Sequence, residues 1–483
     1  MENVDRLGPE IVLLVAAAAV LLLDLVLREK RWLPWLALLG IAGSALWTGT
    51  FVIRDTQGTA FDGSLAVDDF SIFFGFLFAG VAALVILSSM DYAERFVGRY
   101  GEFFALILAS TAGLMLLAGS RDLIAIFIAL ELTSISQYVL AGFLKDGRST
   151  EAALKYILLG AISTAVLLYG MAFLFGLSGS TKLDGIAAFV AEADPGTRAA
   201  LVMAMVFMAV GFAFKMAIVP FQMWVPDVYE GAPTPVAAYL SVGSKAAAFA
   251  VVLRVFYEGL GGDFVSNDWS NLFAALAAAS MFAGNIVALV QSNIKRLLGY
   301  SSIAQAGYIM VGLAAVSTVD GTALGASSVL FFLAAYALTN LGAFAAVTVV
   351  SHCLGSDDIA DYAGLARRSP LVAATLAFCF VSLTGLPPTA GFIAKIYIFN
   401  AAVQADMVWL VIVAVLNSVL AAFYYLKVVG LMFFREPPEG APIKWSPPVG
   451  VALGVSMLGV LVVGVVPGPL IAAAERAASV FVR

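Results

Sequence analysis

The sequence predicts an all-α integral membrane protein of about fourteen transmembrane helices, and three observations carry that prediction. Of its 483 residues, 62% are hydrophobic and 12% charged, with a mean hydropathy of +0.99, whereas soluble domains carry about a quarter charged residues. The apolar residues lie in long unbroken runs, not short alternating stretches, so the backbone is satisfied within helices and a barrel is excluded. No long hydrophilic insertion interrupts the runs, so no catalytic head is expected outside the membrane.

Spans of about 20 apolar residues fit at roughly 10–27, 33–53, 69–89, 103–119, 122–144, 155–178, 199–220, 234–258, 271–291, 301–317, 326–350, 371–400, 407–434 and 448–473. The first run lacks a basic start and a small-residue cleavage site, so it reads as a retained helix, not a signal peptide. One set of connections holds Arg28, Lys30, Arg31, Arg95, Arg99, Lys145, Arg148, Lys155, Lys295, Arg296, Arg367, Arg368, Arg435 and Lys444. The opposite set, with both termini, holds Arg6, Arg54, Arg121, Lys182, Arg198, Arg254, Arg476 and Arg483. The richer set should face the cytoplasm, leaving both termini on the non-cytoplasmic side.

Composition excludes several chemistries. Two cysteines, Cys353 and Cys379, are too few for a disulfide framework or a metal cluster. A single histidine, His352, rules out a haem pair. No Gly-rich phosphate loop follows a strand, so nucleotide chemistry is not expected. The net charge of −6 is spread through loops and points to no partner.

What remains is four lysines inside spans: Lys215, Lys245, Lys395 and Lys427. A charged side chain at mid-bilayer costs about 2.5–3.5 kcal/mol on insertion scales, so such groups need a reason. A desolvated ammonium sheds its proton more readily than a hydrated one, which suits proton transfer. Lys215 precedes Pro220 by five positions, and Lys395 follows the breaker GLPPTAGF at 385–392. Five spans separate the two, an odd number, so a repeat of that length is inverted across the membrane. Lys245 in the eighth span has a possible mate in Lys427 of the thirteenth. Lys427, close to its helix end, reads equally as a snorkelling side chain.

Glu131 is the one carboxylate in the middle of the fifth span, and Lys215 is its expected partner. Such a pair responds to any further charge placed beside it; the alternative is a static bridge between two helices. Lys245 has only Ser241, Ser244 and apolar residues within a turn. Asp24, near the end of the first span, is open to either reading. Tyr300, Ser301, Ser302, Gln305 and Tyr308 put a polar stripe on the tenth span, and Tyr336, Thr339 and Asn340 put one on the eleventh. These would carry water between lysines or simply bond helices together. Asp227 and Glu230, between Pro226, Pro233 and Pro235, read mainly as a solvated turn.

PFQMWVPDVYEGAPTPVAAYLSVGSKAAAF, ALELTSISQYVL, SNIKRLLGYSSIAQAGY and GLPPTAGFIAKIYIF together resemble the antiporter-like membrane subunits of respiratory complex I, over about residues 120–430. The resemblance implies fourteen helices in one polytopic domain. It also implies two inverted five-helix repeats, at about 103–258 and 271–434, with helices 7 and 12 broken. It places Glu131, Lys215, Lys245 and Lys395 on proton-channel positions, with Lys155 on a further basic position. It also implies a cell inner (plasma) membrane location beside other membrane subunits. Quinone, FMN and iron–sulfur clusters are then expected in partner subunits and no cofactor in this chain. Gln222 departs from the pattern, since many relatives carry histidine in that PF-x-MW position.

Two further classes stay open on sequence alone. One is a subunit of a multi-subunit cation/proton antiporter, which shares the fold. The other is a scaffold that transports nothing.

Overall fold

The computed structural model describes residues 2–96, 98–262, 264–316, 318–319, 322–437 and 443–482; Arg483 lies outside them. Thirteen helices among the described residues are long and apolar enough to cross a bilayer. In chain order they begin α1 (Gly8–Val26), α2 (Leu33–Ile53), α3 (Asp69–Ser89), α4 (Tyr100–Gly119), α5 (Leu123–Ala141), α6 (Gly147–Ser178) and α7 (Arg198–Met216). A short helix α8 (Trp224–Gly231) precedes α9 (Thr234–Gly259), α10 (Ser266–Ala288), α11 (Ile294–Ala314) and α12 (Leu324–Leu354). The twelfth expected span is two pieces, α13 (Pro370–Thr384) and α14 (Ala390–Gln404), followed by α15 (Val408–Phe434), α16 (Pro447–Val465) and α17 (Gly468–Ala478). With α13 and α14 counted as one broken crossing, the expected fourteen are present.

The differences from the expected boundaries have local causes. α7 stops at Met216 because Ala217 turns left-handed (φ 62°) and directs its N–H back to Phe214. The prolines after Gly385 remove backbone donors, and Gly385 itself sits at φ 88°. The last expected span ends at Val465, and α17 is a separate helix begun at Gly468–Pro469. Where helices start at a membrane face, short polar side chains cap them. Asp122 accepts from Ile124 and Ala125, Asp146 from Ser149, and Asn293 from Lys295 and Arg296. At α3, Asp68 and Ser71 exchange bonds in a capping box. Two small antiparallel hairpins, β1 (Gly58–Ala60) with β2 (Leu65–Val67) and β3 (Thr318–Val319) with β4 (Thr322–Ala323), close connections at the ends of the bundle.

The centre of the bundle is α9, α11 and α12. The most apolar window of α9 is 100% buried, against 94% for α11, 89% for α12 and 28% for α1, α2 and α16. α12 packs against α3, α9, α11, α13, α14, α16 and α17. This explains why the tenth expected span is the least apolar: its polar stripe faces protein on every side. α9 is also irregular, with π-helical turns at Leu240–Ser244 and Arg254–Gly259 on either side of the α-helical Lys245–Leu253. Such turns leave carbonyls without their usual partners and often mark functional positions.

Two basic residues assigned to connections prove to be buried in helices. Arg254 is 1% exposed, donating to the Ala118 carbonyl and pairing with Asp68 at 2.7 Å. Lys295, 3% exposed, caps the carbonyls of Glu230 and Ala232. The ion pairs still respect the two expected sets. Lys155, Arg296 and Lys295 pair with Glu151, Asp227, Glu230 and Asp357 on one face. Arg121, Lys182, Arg198 and Arg254 pair with Asp62, Asp68, Asp184, Glu258 and Asp268 on the other. None joins the two sets among the described residues.

Candidate functional site

Lys215, Lys245 and Lys395 are 7%, 1% and 5% exposed, and each is held differently. Lys215 lies in the last turn of α7, immediately before the break, and its ammonium finds no protein hydrogen-bond partner. Aromatic rings surround it instead, with centroids at 5.3 Å for Tyr138, 5.6 Å for Tyr156 and 5.8 Å for Phe214. Ring faces attract a cation, by about 2 kcal/mol or more where water is excluded. Trp224 locks this cage: its indole N–H donates to the Phe214 carbonyl at 3.1 Å, and its ring stacks on Tyr156 at 4.4 Å. The non-helical stretch after Ala217 allows the chain to double back and deliver Trp224 there.

Glu131 sits at the middle of α5 and accepts a hydrogen bond from Thr164 of α6 at 3.2 Å. The direct Glu131–Lys215 ion pair expected from the sequence is not formed; the two interact electrostatically across a longer gap. From the same helix, two turns further on, Tyr138 presents its ring to the amine instead. Neighbouring Tyr156 donates its hydroxyl to Gln137 at 3.2 Å.

A cavity of about 10 Å3 opens beside Lys215, lined by Thr133 of α5, Phe212 of α7 and Ser244 of α9, about the room one water needs. Ser244 ends the first π-turn and Lys245 follows it. Lys245 donates to both the backbone carbonyl and the hydroxyl of Ser302 on α11, with the Tyr336 ring at 5.6 Å. Ser302 is a junction. Tyr336 donates to its hydroxyl at 3.2 Å, and the Tyr229 hydroxyl lies 3.4 Å away. A second small cavity, also about 10 Å3, is lined by Tyr336, Gln305, Thr339, Ser382 and Lys395.

Lys395 on α14 reaches back across the second break. It donates to the carbonyls of Leu383 at 3.3 Å and Thr384 at 2.8 Å and to the Ser418 hydroxyl at 3.0 Å. The Tyr308 ring lies 4.4 Å away. Both acceptor carbonyls belong to the last turn of α13, where no following helix turn claims them. Gln305 donates to the same Leu383 carbonyl at 3.1 Å. The polar stripes of the tenth and eleventh spans therefore lie between Lys245 and Lys395.

Other expected positions are not part of this row. Lys155 is part-exposed and pairs with Glu151 and Asp227, both at 2.8 Å. Asp227 and Glu230 lie on a short helix, not a solvated turn, and both bind Arg296 at 2.8 Å. Burial works to raise the Asp227 carboxyl, but Lys155 and Arg296 outweigh it and hold it below the usual value. Lys427 is exposed, and Asp24 pairs with Lys30 at 2.9 Å. Gln222, in the first break, keeps its amide oxygen buried without a partner. The aromatic cage is absent from the sequence reading. Its available signal was Tyr138 and Trp224, which stand inside two of the quoted motifs; Tyr156 lies outside them, one residue after Lys155. No cluster of metal-binding side chains exists among the described residues.

Residues 120–421 match the family described as NADH:quinone oxidoreductase/Mrp antiporter, TM. The chain is 43% identical to NADH-quinone oxidoreductase subunit N of Dehalococcoides mccartyi, covering 99% of this chain and 100% of that one. It superposes on a chain of respiratory complex I from Thermus thermophilus with a TM-score of 0.80 and 33% identity, covering 97% and 99% of the two chains. A chain of the Mrp complex from Dietzia sp. shares the fold, with a TM-score of 0.84 at 20% identity over 99% and 97%. With its interior built around lysines set at two helix breaks, the chain belongs to the NADH:quinone oxidoreductase/Mrp antiporter membrane family.

Proposed function

We propose that the chain is the subunit N of a proton-translocating NADH-quinone oxidoreductase, passing protons along a row formed by Glu131, Lys215, Lys245 and Lys395. The observation that carries this reading is the continuity of the row. One water-sized cavity sets Lys215 beside Ser244, the neighbour of Lys245. Ser302, with Tyr336 and a second such cavity, leads from Lys245 to Lys395; among the described residues none of the three amines forms an ion pair. The near full-length identity with a relative of that name supports the assignment.

With no metal-binding cluster among the described residues, the chain takes its drive from partner subunits, which would hold the quinone, FMN and iron–sulfur clusters. A charge displaced next to Glu131 changes its hold on Lys215, and Lys215 releases or takes a proton through Thr133 and Ser244. Lys245 relays along Ser302, and Lys395 passes the proton on beside the second break. Lys155, with Glu151 and Asp227, stands at the rim of the basic-rich face and feeds the row from there. That face is cytoplasmic, so both termini lie outside the cell's inner membrane. Residues 103–258 and 271–434 form the inverted repeats that set the two breaks on opposite sides.

The test is the assembled complex in vesicles. Lys215→Ala should assemble normally and lower the protons moved per electron; an unchanged ratio would falsify the role given to this residue. The fold shared with the Mrp complex chain favours a second reading, a cation/proton antiporter subunit. Proton flux that depends on Na+ or K+ in vesicles holding the chain without redox partners would establish it.

A further inference from the structure

A cleft of about 670 Å3 opens between α1, α4, α5 and α6, and Tyr138 is the side chain it shares with the Lys215 cage. Arg99 and Lys145 stand at its aqueous mouth, with Glu102 beside them. Neither cation forms an ion pair among the described residues; Arg99 spends one N–H on the Phe143 carbonyl at 3.2 Å. Below the mouth the groove is carved by the small side chains Ala105 and Ala109, and Tyr138 forms its back wall. From Arg99 to Ala109 is ten helical residues, about 15 Å, half of the roughly 30 Å hydrocarbon thickness. The long side is open to the membrane, since Val139 on the rim is 51% exposed.

We propose that this cleft binds one anionic glycerophospholipid of its leaflet, the phosphate on Arg99 and Lys145 and an acyl chain along Ala105 and Ala109 against Tyr138. The charge decides the head group: two cations against one carboxylate leave a positive mouth at lipid-phosphate depth. The length decides the class, because the groove ends where one leaflet ends. Tyr138 gives the site a consequence. Its hydroxyl is buried without a hydrogen-bond partner, and its ring is 5.3 Å from the Lys215 ammonium. A chain packed on that ring therefore fixes one wall of the Lys215 cage, a coupling that rests on the proton-transfer reading, whereas the binding does not.

The assembly carrying this chain, placed in nanodiscs of phosphatidylglycerol or phosphatidylcholine and then washed in detergent, should retain one phosphatidylglycerol per chain by native mass spectrometry. Removing both cations in Arg99→Gln/Lys145→Gln should weaken retention roughly 30-fold, at about fivefold per cation. Ala109→Phe, which fills the groove without changing charge, should exclude the lipid as well. Equal retention of phosphatidylcholine, retention unmoved by both variants, or a neighbouring protein segment seated in the cleft would each overturn the site. Lipid retained as expected, with proton movement indifferent to its head group, overturns the coupling to Lys215 and leaves the site standing.

Discussion

Lys215 is held by ring faces, while its carboxylate stands off and acts at a distance. Changing Glu131 should therefore be mild for stability and severe for transport. Glu131→Gln keeps the Thr164 hydrogen bond and should leave assembly intact while proton movement falls several-fold; an assembly defect alone would restore the static-bridge reading. Ser302→Ala removes the hydroxyl shared by Lys245, Tyr336 and Tyr229 but spares the backbone carbonyl, so Lys245 stays anchored and proton flux drops. Asp68 makes a different test. Burial alone would raise its carboxyl, but the Arg254 guanidinium 2.7 Å away and the bonds from Ser71 hold it below the usual value. A carboxyl lowered on folding contributes stability above its unfolded value of about 3.9, and loses it as pH falls through the folded one. Asp68→Asn should cost about 1–3 kcal/mol at neutral pH, leaving Arg254 with Glu258 and the Ala118 carbonyl, and flatten the acid limb of thermal stability against pH. The lysines were legible because an amine in an apolar run is conspicuous by its cost. Their partners were not, since ring faces and carbonyls from other helices carry no signal in a linear chain. Arg254 read as a helix-end residue for the same reason.

At the level of elements, the breaks matter as donors of geometry. Ala217 holds a left-handed conformation that glycine adopts freely (φ 62°), so Ala217→Gly should be neutral or stabilise by up to about 1 kcal/mol. Gly385 is the opposite case. Its φ is 88°, and a Cβ there would meet the Lys395 Cδ at 2.7 Å. Gly385→Ala should cost about 1–2 kcal/mol and displace the Lys395 amine from the α13 carbonyls, seen as lowered thermal stability together with lowered proton transport. Both breaks were legible from Pro220 and Pro387–Pro388, because proline removes a donor wherever it falls. The π-turns of α9 were not: LSVGS and RVFYEG satisfy a helical pattern, and only packing from all sides decides how tightly the turns wind.

For the whole molecule, span count and the two-sided charge pattern were written in the chain, since hydropathy and basic residues report directly on the bilayer. Which helices lie inside was harder to see, because α9 and α11 are apolar enough to face lipid and polar enough to line a path. The same layering sets how the protein answers its medium. Ion pairs occupy the two rims, several of them half exposed, while in the middle stratum the lysine amines donate to neutral hydroxyls and carbonyls. Ionic strength therefore reaches one and not the other: at about 0.15 M, screening acts beyond roughly 8 Å of water, and no such water surrounds the mid-membrane amines. Added salt should loosen the rims, lowering the melting temperature, well before it alters the turnover of protons at the centre.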